Sequence, residues 1–101
     1  MAAARKEGLM ITNFAAGQEI SYQLYLPADS KEITLRYCGY SNSICEVLVD
    51  GVSQNFIDMP RNGSSTEWIE AKTSLVVKEG KHTITLKLFT GSCYLSAITI
   101  K

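Results

Sequence analysis

Gly17-Gln18-Glu19-Ile20-Ser21-Tyr22-Gln23-Leu24-Tyr25-Leu26, followed at once by Pro27-Ala28-Asp29, sets the pattern for the whole chain. Ile20, Tyr22, Leu24 and Leu26 fall on every second position, which is how a half-buried antiparallel strand reads. Pro27 then stops the strand, since proline offers no N–H to a ladder. The same grammar repeats to the C-terminus. Ile33, Leu35 and Tyr37 alternate, then Cys45, Val47 and Val49, then Ile84, Leu86 and Leu88. Asp50-Gly51 is a two-residue hairpin signal, because both residues tolerate positive φ. Met59-Pro60-Arg61-Asn62-Gly63-Ser64 makes a long polar loop before Trp68, and Glu79-Gly80 turns into another strand.

No segment keeps a 3.6-residue period. The chain therefore reads as an all-β, jelly-roll-like antiparallel β-sandwich of about eight strands. Residues 1–8 are expected to form a flexible N-terminal segment, with Leu9–Ile11 as a short first strand, and residues 9–101 a single domain. A chain of 101 residues is the size of one domain and is long enough to bury a core of its own.

Strand direction can be counted along the chain. If Gln18–Leu26 runs down, Glu32–Cys38 runs up, Cys45–Asp50 down, Val52–Asp58 up, Trp68–Val77 down, Thr83–Phe89 up and Tyr94–Ile100 down. This parity gathers Thr12–Gly17, Gly39–Ile44, Pro60–Glu67 and Thr90–Cys93 at one end. The other end has the short turns at Pro27–Lys31, Asp50–Gly51 and Lys78–Lys81. Long loops collected at one end of a rigid scaffold are the usual place for binding.

Ten basic and ten acidic residues cancel. A chain with no basic stripe has no attraction for a phosphate backbone, so no nucleic-acid partner is expected, and no anionic membrane surface either. Apolar runs such as Ser74-Leu75-Val76-Val77 are too short to span a bilayer. The N-terminal Met1-Ala2-Ala3-Ala4-Arg5-Lys6-Glu7 lacks the apolar stretch of a signal peptide. Cys38, Cys45 and Cys93 leave at least one thiol unpaired, and no Cys/His cluster points to zinc. Cys38 and Cys45 flank a loop and are spaced to bridge a hairpin mouth; three reduced, packed thiols are the alternative.

Chemistry is sparse. His82 is the only histidine and reads as an exposed residue at a strand edge, with no nucleophile or orienting acid beside it. Asp58, Glu67 and Glu70 read as surface charges rather than as a glycosidic pair. Gly63 stands alone, so no glycine loop cradles a phosphate. The aromatics say more. Sugar rings pack their C–H faces on aromatic side chains, and their hydroxyls need planar polar partners. The loop end offers Tyr40 with Asn42, Arg61 with Asn62, and Thr66, Trp68 and Tyr94, which form the candidate binding set. Tyr22, Tyr25 and Tyr37 lie within strands and read as packing.

This order of strands, turns and loops resembles the β-sandwich carbohydrate-binding modules of families 6 and 35. In those modules a Gly-x-Trp-x-x-Trp loop precedes a strand. Counted back from Val77 and Gly80, Ser65 falls on the first Trp, the sugar platform, and Trp68 on the second, which packs in the core. The family's Asn-Leu-Asp before the last strand reads Tyr94-Leu95-Ser96, and its aromatic before Gly17 reads Asn13 or Phe14. The family's calcium site takes a carboxylate from an N-terminal Ala-Glu segment and one from the position of Ser96. Both are replaced, and calcium needs several oxygen ligands including carboxylates, so no metal and no cofactor is expected. The resemblance implies a non-catalytic module, bound to an oligo- or polysaccharide and joined to the catalytic domain of a parent enzyme in a longer extracellular chain. The replacements leave a second possibility, a degenerate module serving as a structural or protein-interaction domain.

Overall fold

The computed structural model describes residues 4–6 and 11–101, with side chains from Asn13 onward. The described residues form nine strands: β1 (Ala4–Lys6), β2 (Ile11–Ala15), β3 (Glu19–Leu26), β4 (Ser30–Cys38), β5 (Ser43–Val49), β6 (Val52–Met59), β7 (Ile69–Val77), β8 (Gly80–Thr90) and β9 (Ser92–Ile100). They make two antiparallel sheets. One has the order β1-β9-β4-β7, with β2 also paired to β9; the other runs β3-β8-β5-β6. Only β5 and β6 are joined as a hairpin within a sheet, through Asp50-Gly51. From β2 onward every other connection crosses from one sheet to the other, which gives the jelly-roll path.

The alternation read from the sequence decides which side chains meet between the sheets. Ile33, Leu35 and Tyr37 from β4 face Cys45, Val47 and Val49 from β5 and Ile84, Leu86 and Leu88 from β8, all buried in one core. Leu95, Ile98 and Ile100 complete it from β9, and Phe14 from β2. In β9 the alternation slips, because Arg36 pairs with Ala97 while Tyr37 pairs with Leu95. Ser96 is the extra residue of a bulge, and the bulge keeps both Leu95 and Ile98 inward.

Several expectations are corrected. Thr12–Ala15 is strand rather than loop, continuing from Ile11 and paired along β9. Its period was hidden because Asn13 sits at a register shift with φ 59°, which breaks the alternation ahead of the inward Phe14. Of the segment 1–8, Ala4–Lys6 pairs with Ile98–Ile100; the rest of it, and Leu9 and Met10, lie outside the described residues. The link between β8 and β9 is Gly91 alone rather than a long loop. Gly91 has φ 72°, and a Cβ there would meet the Asn42 carbonyl oxygen at 2.3 Å and Ser43 Oγ at 2.6 Å. All three cysteines are free and buried. Cys38 follows the inward Tyr37 and so takes the other face of its sheet, whereas Cys45 points inward from the opposite sheet; a Cys38–Cys45 bridge has no path.

Candidate functional site

The loop end of the sandwich is built from two segments, 39–42 between β4 and β5 and 60–68 between β6 and β7. The second is folded around the first. The Gly39 carbonyl accepts the N–H groups of Asn62 at 3.1 Å and Gly63 at 2.9 Å. Asn62 Oδ1 accepts the Gly39 N–H at 2.9 Å and the Ser64 N–H at 3.3 Å, while its Nδ2 donates to the Glu67 carbonyl at 2.6 Å. The buried Tyr37 hydroxyl donates to the Pro60 carbonyl at 2.7 Å, and burial pushes its phenol up to about 12. Ser64 Oγ accepts the N–H groups of Thr66 and Glu67, each at 3.0 Å. A loop of this length would be mobile if its polar groups were left to water. Here they are tied to each other and to β4.

Tyr40 and Tyr94 come together. With Asn13, Gly39, Ser92 and Cys93 they line a cleft of about 50 Å³. That is room for a water or two, so the feature is a notch lined by two tyrosines rather than a pocket. Tyr40 is 58% exposed and Tyr94 half-buried. Gly39 packs closely at the floor, where a Cβ would lie 3.2 Å from both Cys93 Cα and the Ser92 carbonyl oxygen. A larger groove of about 390 Å³ lies on the outer face of the other sheet-forming strands β4, β7 and β9, lined by Glu32, Thr34, Glu70, Lys72, Thr99 and Lys101. It has no aromatic residue in its lining.

The other candidate residues divide by role. Asn42 Oδ1 accepts the Arg61 N–H at 3.0 Å, which joins the two loops and leaves the exposed Arg61 side chain beside them. Thr66 is exposed, and its Oγ1 lies 3.4 Å from Ser64 Oγ. Asn62 spends its amide on the loop itself. Trp68 corrects the expectation of a core anchor. Ile69 pairs with Tyr37 and packs against the core, so Trp68, one residue earlier, takes the other face and is only half-buried.

Ser92 was not among the candidates because the one-residue turn at Gly91 that places it leaves no alternation to read, while Asn13, named at the family's aromatic position, reaches the notch at the register shift of β2. A second surface was legible in principle. Phe56 and Phe89 flank the inward Ile57 and Leu88, so both point outward. They are 45% and 49% exposed, with ring centroids 5.4 Å apart and planes at 49°. Ile44 is also exposed on this face, since it precedes the inward Cys45.

The site has no activated nucleophile among its thiols. Burial holds Cys93 up at about 11 and Cys45 at about 12, and it raises Cys38 as well, so all stay protonated and inert near neutrality. Of the calcium position that the resemblance implies, only Ser96 lies among the residues with described side chains; the N-terminal segment lies outside them. Ser96 brings a hydroxyl in place of a carboxylate, and among the described residues no three His, Cys, Asp or Glu side chains gather to hold a metal.

No protein-family model and no curated protein matches the sequence significantly. Solved structures do match. A β-1,3-glucan-binding family 6 module from Bacillus halodurans superposes with a TM-score of 0.81 at 13% identity, over 91% of this chain and 75% of that one. A family 35 module from an environmental isolate gives 0.77 at 17% identity, over 100% and 93%. A cycloisomaltooligosaccharide glucanotransferase from a Paenibacillus species gives 0.77 at 15% identity, over 98% of this chain but 17% of the enzyme. The chain therefore has the β-sandwich fold of the family 6 and family 35 carbohydrate-binding modules.

Proposed function

We propose that the chain is a non-catalytic carbohydrate-binding module that holds an oligo- or polysaccharide across its loop end. The observation that carries this reading is that Tyr40, on the 39–42 loop, and Tyr94, near the start of β9, line one notch. A sugar ring laid over the notch would pack its C–H face on a tyrosine. Arg61 and the amide of Asn42 would meet hydroxyls from one side, Thr66 from beyond them. Trp68 stands at the base of the 60–68 loop as a reporter and a support. Affinity from so shallow a site is weak, because little of the ligand is removed from water and few hydroxyls are fully desolvated. We further propose that the module works beside the catalytic domain of a longer extracellular, glycan-active protein. A domain of this fold making up 17% of a glucanotransferase supports that arrangement.

The test is affinity electrophoresis through gels carrying a panel of plant and microbial polysaccharides, followed by titration of Trp68 fluorescence with any that retard the protein. Retardation by at least one polysaccharide is expected. A second reading, a module that faces a protein partner and has given up sugar, draws on the exposed Ile44, Phe56 and Phe89 surface. It predicts no retardation in any gel.

A further inference from the structure

The end of the sandwich opposite the notch is organised around the chain's single histidine. His82 lies at the start of β8, and its side chain is only 18% exposed, which corrects its reading as an exposed strand-edge residue. Its Nδ1 stands 2.6 Å from Asp50 Oδ2 and its Nε2 2.7 Å from the Lys78 carbonyl oxygen. Both partners are acceptors: a carbonyl has no proton to give, and an ionised carboxylate has none either. A neutral imidazole owns one N–H and one lone pair. It can satisfy one of these contacts only by setting its lone pair against an oxygen at the other. The imidazolium satisfies both.

The partners are themselves fixed. Asp50 Oδ1 accepts the Thr83 N–H at 2.9 Å, and the Asp50 N–H is donated to the Thr83 carbonyl at 2.8 Å. Asp50 and Gly51 have φ 52° and 83°, the pair of positive values a tight two-residue hairpin needs. Across the end, Asp29 Oδ1 accepts the Glu79 N–H at 2.8 Å, and its Oδ2 lies 3.4 Å from Lys78 Nζ. The β3–β4, β5–β6 and β7–β8 turns are thus joined in one chain of contacts, with the His82 ring as its middle link.

We propose that this end is a proton-operated clasp: protonated His82 staples the Asp50–Gly51 hairpin turn to the Lys78–Glu79 crossover, and loss of its proton releases one of the two contacts and loosens both turns. The charged groups around the ring are Asp50 from the hairpin, Lys78 and Glu79 from the crossover, Asp29 from the β3–β4 turn and Lys81 from its own strand. Its neighbours on β3 are Gln23, Leu24 and Tyr25. Among the described residues, Asp50 alone makes an ion-pair contact with the ring. The hydrogen bond to Asp50 holds the imidazole above its ordinary 6.5, against desolvation, with the Lys78 carbonyl helping. The same bond to His82, then the Thr83 N–H, holds the Asp50 carboxyl below its ordinary 3.8.

The signs set a window. The His82 contribution is complete below pH 6.5 and is lost as pH rises through the raised folded value. The Asp50 contribution is complete above its ordinary value and is lost as pH falls through the lowered one. The clasp is closed in mildly acidic medium and opens on the alkaline side.

Because there is one histidine, its titration is unambiguous. Long-range proton–nitrogen NMR of the ring should show both nitrogens protonated at pH 6 and a midpoint above 6.5, and Asp50→Asn should lower that midpoint. The melting temperature of the wild type should fall between pH 6 and 9 more steeply than that of His82→Gln. Amide exchange at Asp50 and Thr83 should quicken across the midpoint, beyond the intrinsic effect of pH. A His82 midpoint at or below 6.5, one that Asp50→Asn leaves unmoved, or equal melting slopes in wild type and His82→Gln would overturn the proposal. Should His82→Gln not fold, the ring titration and Asp50→Asn decide it alone.

Discussion

Asn62 and Gly39 hold each other reciprocally: Asn62 Oδ1 accepts the Gly39 N–H at 2.9 Å, and the Gly39 carbonyl accepts the Asn62 N–H at 3.1 Å. One residue thus docks the long 60–68 loop on the short 39–42 loop and places Tyr40 beside Tyr94. Asn62→Ala removes three side-chain hydrogen bonds and leaves the Gly39 N–H without its acceptor. It should destabilise by about 1–3 kcal/mol and weaken glycan retention at the same time. Asn62→Asp keeps the acceptor but sets a carboxylate oxygen against the Glu67 carbonyl, now 2.6 Å from Nδ2. It should also lower the midpoint of urea unfolding, and a wild-type midpoint for both variants would show that the loop is held by something else.

Gly91→Ala should be among the most damaging single changes. The left-handed φ of 72° and the 2.3 Å approach to the Asn42 carbonyl act together, so neither a backbone adjustment nor a rotamer change relieves it. A drop in melting temperature well beyond that of Gly17→Ala is expected. Gly17 has a positive φ of 92° as well, but nothing lies within 4 Å of a Cβ there, so the comparison isolates the clash.

Trp68→Ala should cost less than the roughly 3–5 kcal/mol typical of a core aromatic, because Ile69 rather than Trp68 enters the core. Thermal unfolding of Trp68→Ala and Ile69→Ala separates the two registers. If Trp68→Ala proves much the more damaging, the face assignment at the start of β7 is wrong.

The core was readable because burial on one face forces alternation, and the triplets Ile33/Leu35/Tyr37 and Ile84/Leu86/Leu88 keep it without interruption. The loop end was readable as a place, since strand parity alone brings Tyr40 and Tyr94 to one end. Its details were not. The bulge at Asn13 and the one-residue turn at Gly91 depend on backbone conformations that leave no period in the sequence. The direction of Trp68 was carried by parity, since Ile69 keeps step with the inward Leu75 and Val77 and successive side chains alternate faces, but the family pattern pointed the other way. Asn62, read as a sugar contact, is engaged in holding its own loop, and sequence cannot tell a polar side chain that binds from one that braces.

Calcium should leave stability unchanged. A ligand that binds the folded state raises the melting temperature by mass action, and Ser96 supplies no carboxylate for it. Equal melting temperatures with added calcium and with a chelator are expected; a clear fall with the chelator would reveal oxygen ligands outside the described residues.

The central claim is that Tyr40 and Tyr94 form the glycan platform. The most direct measurement compares the wild type with the Tyr40→Ala/Tyr94→Ala double variant, by affinity electrophoresis in the polysaccharide that best retards the wild type and by melting temperature. Each ring should contribute about 1–3 kcal/mol if sugar stacking matches the stacking of bases on aromatic side chains. The double variant should keep a near-native melting temperature and migrate as if no polysaccharide were present. Equal retardation of both proteins, with the fold intact, would contradict it.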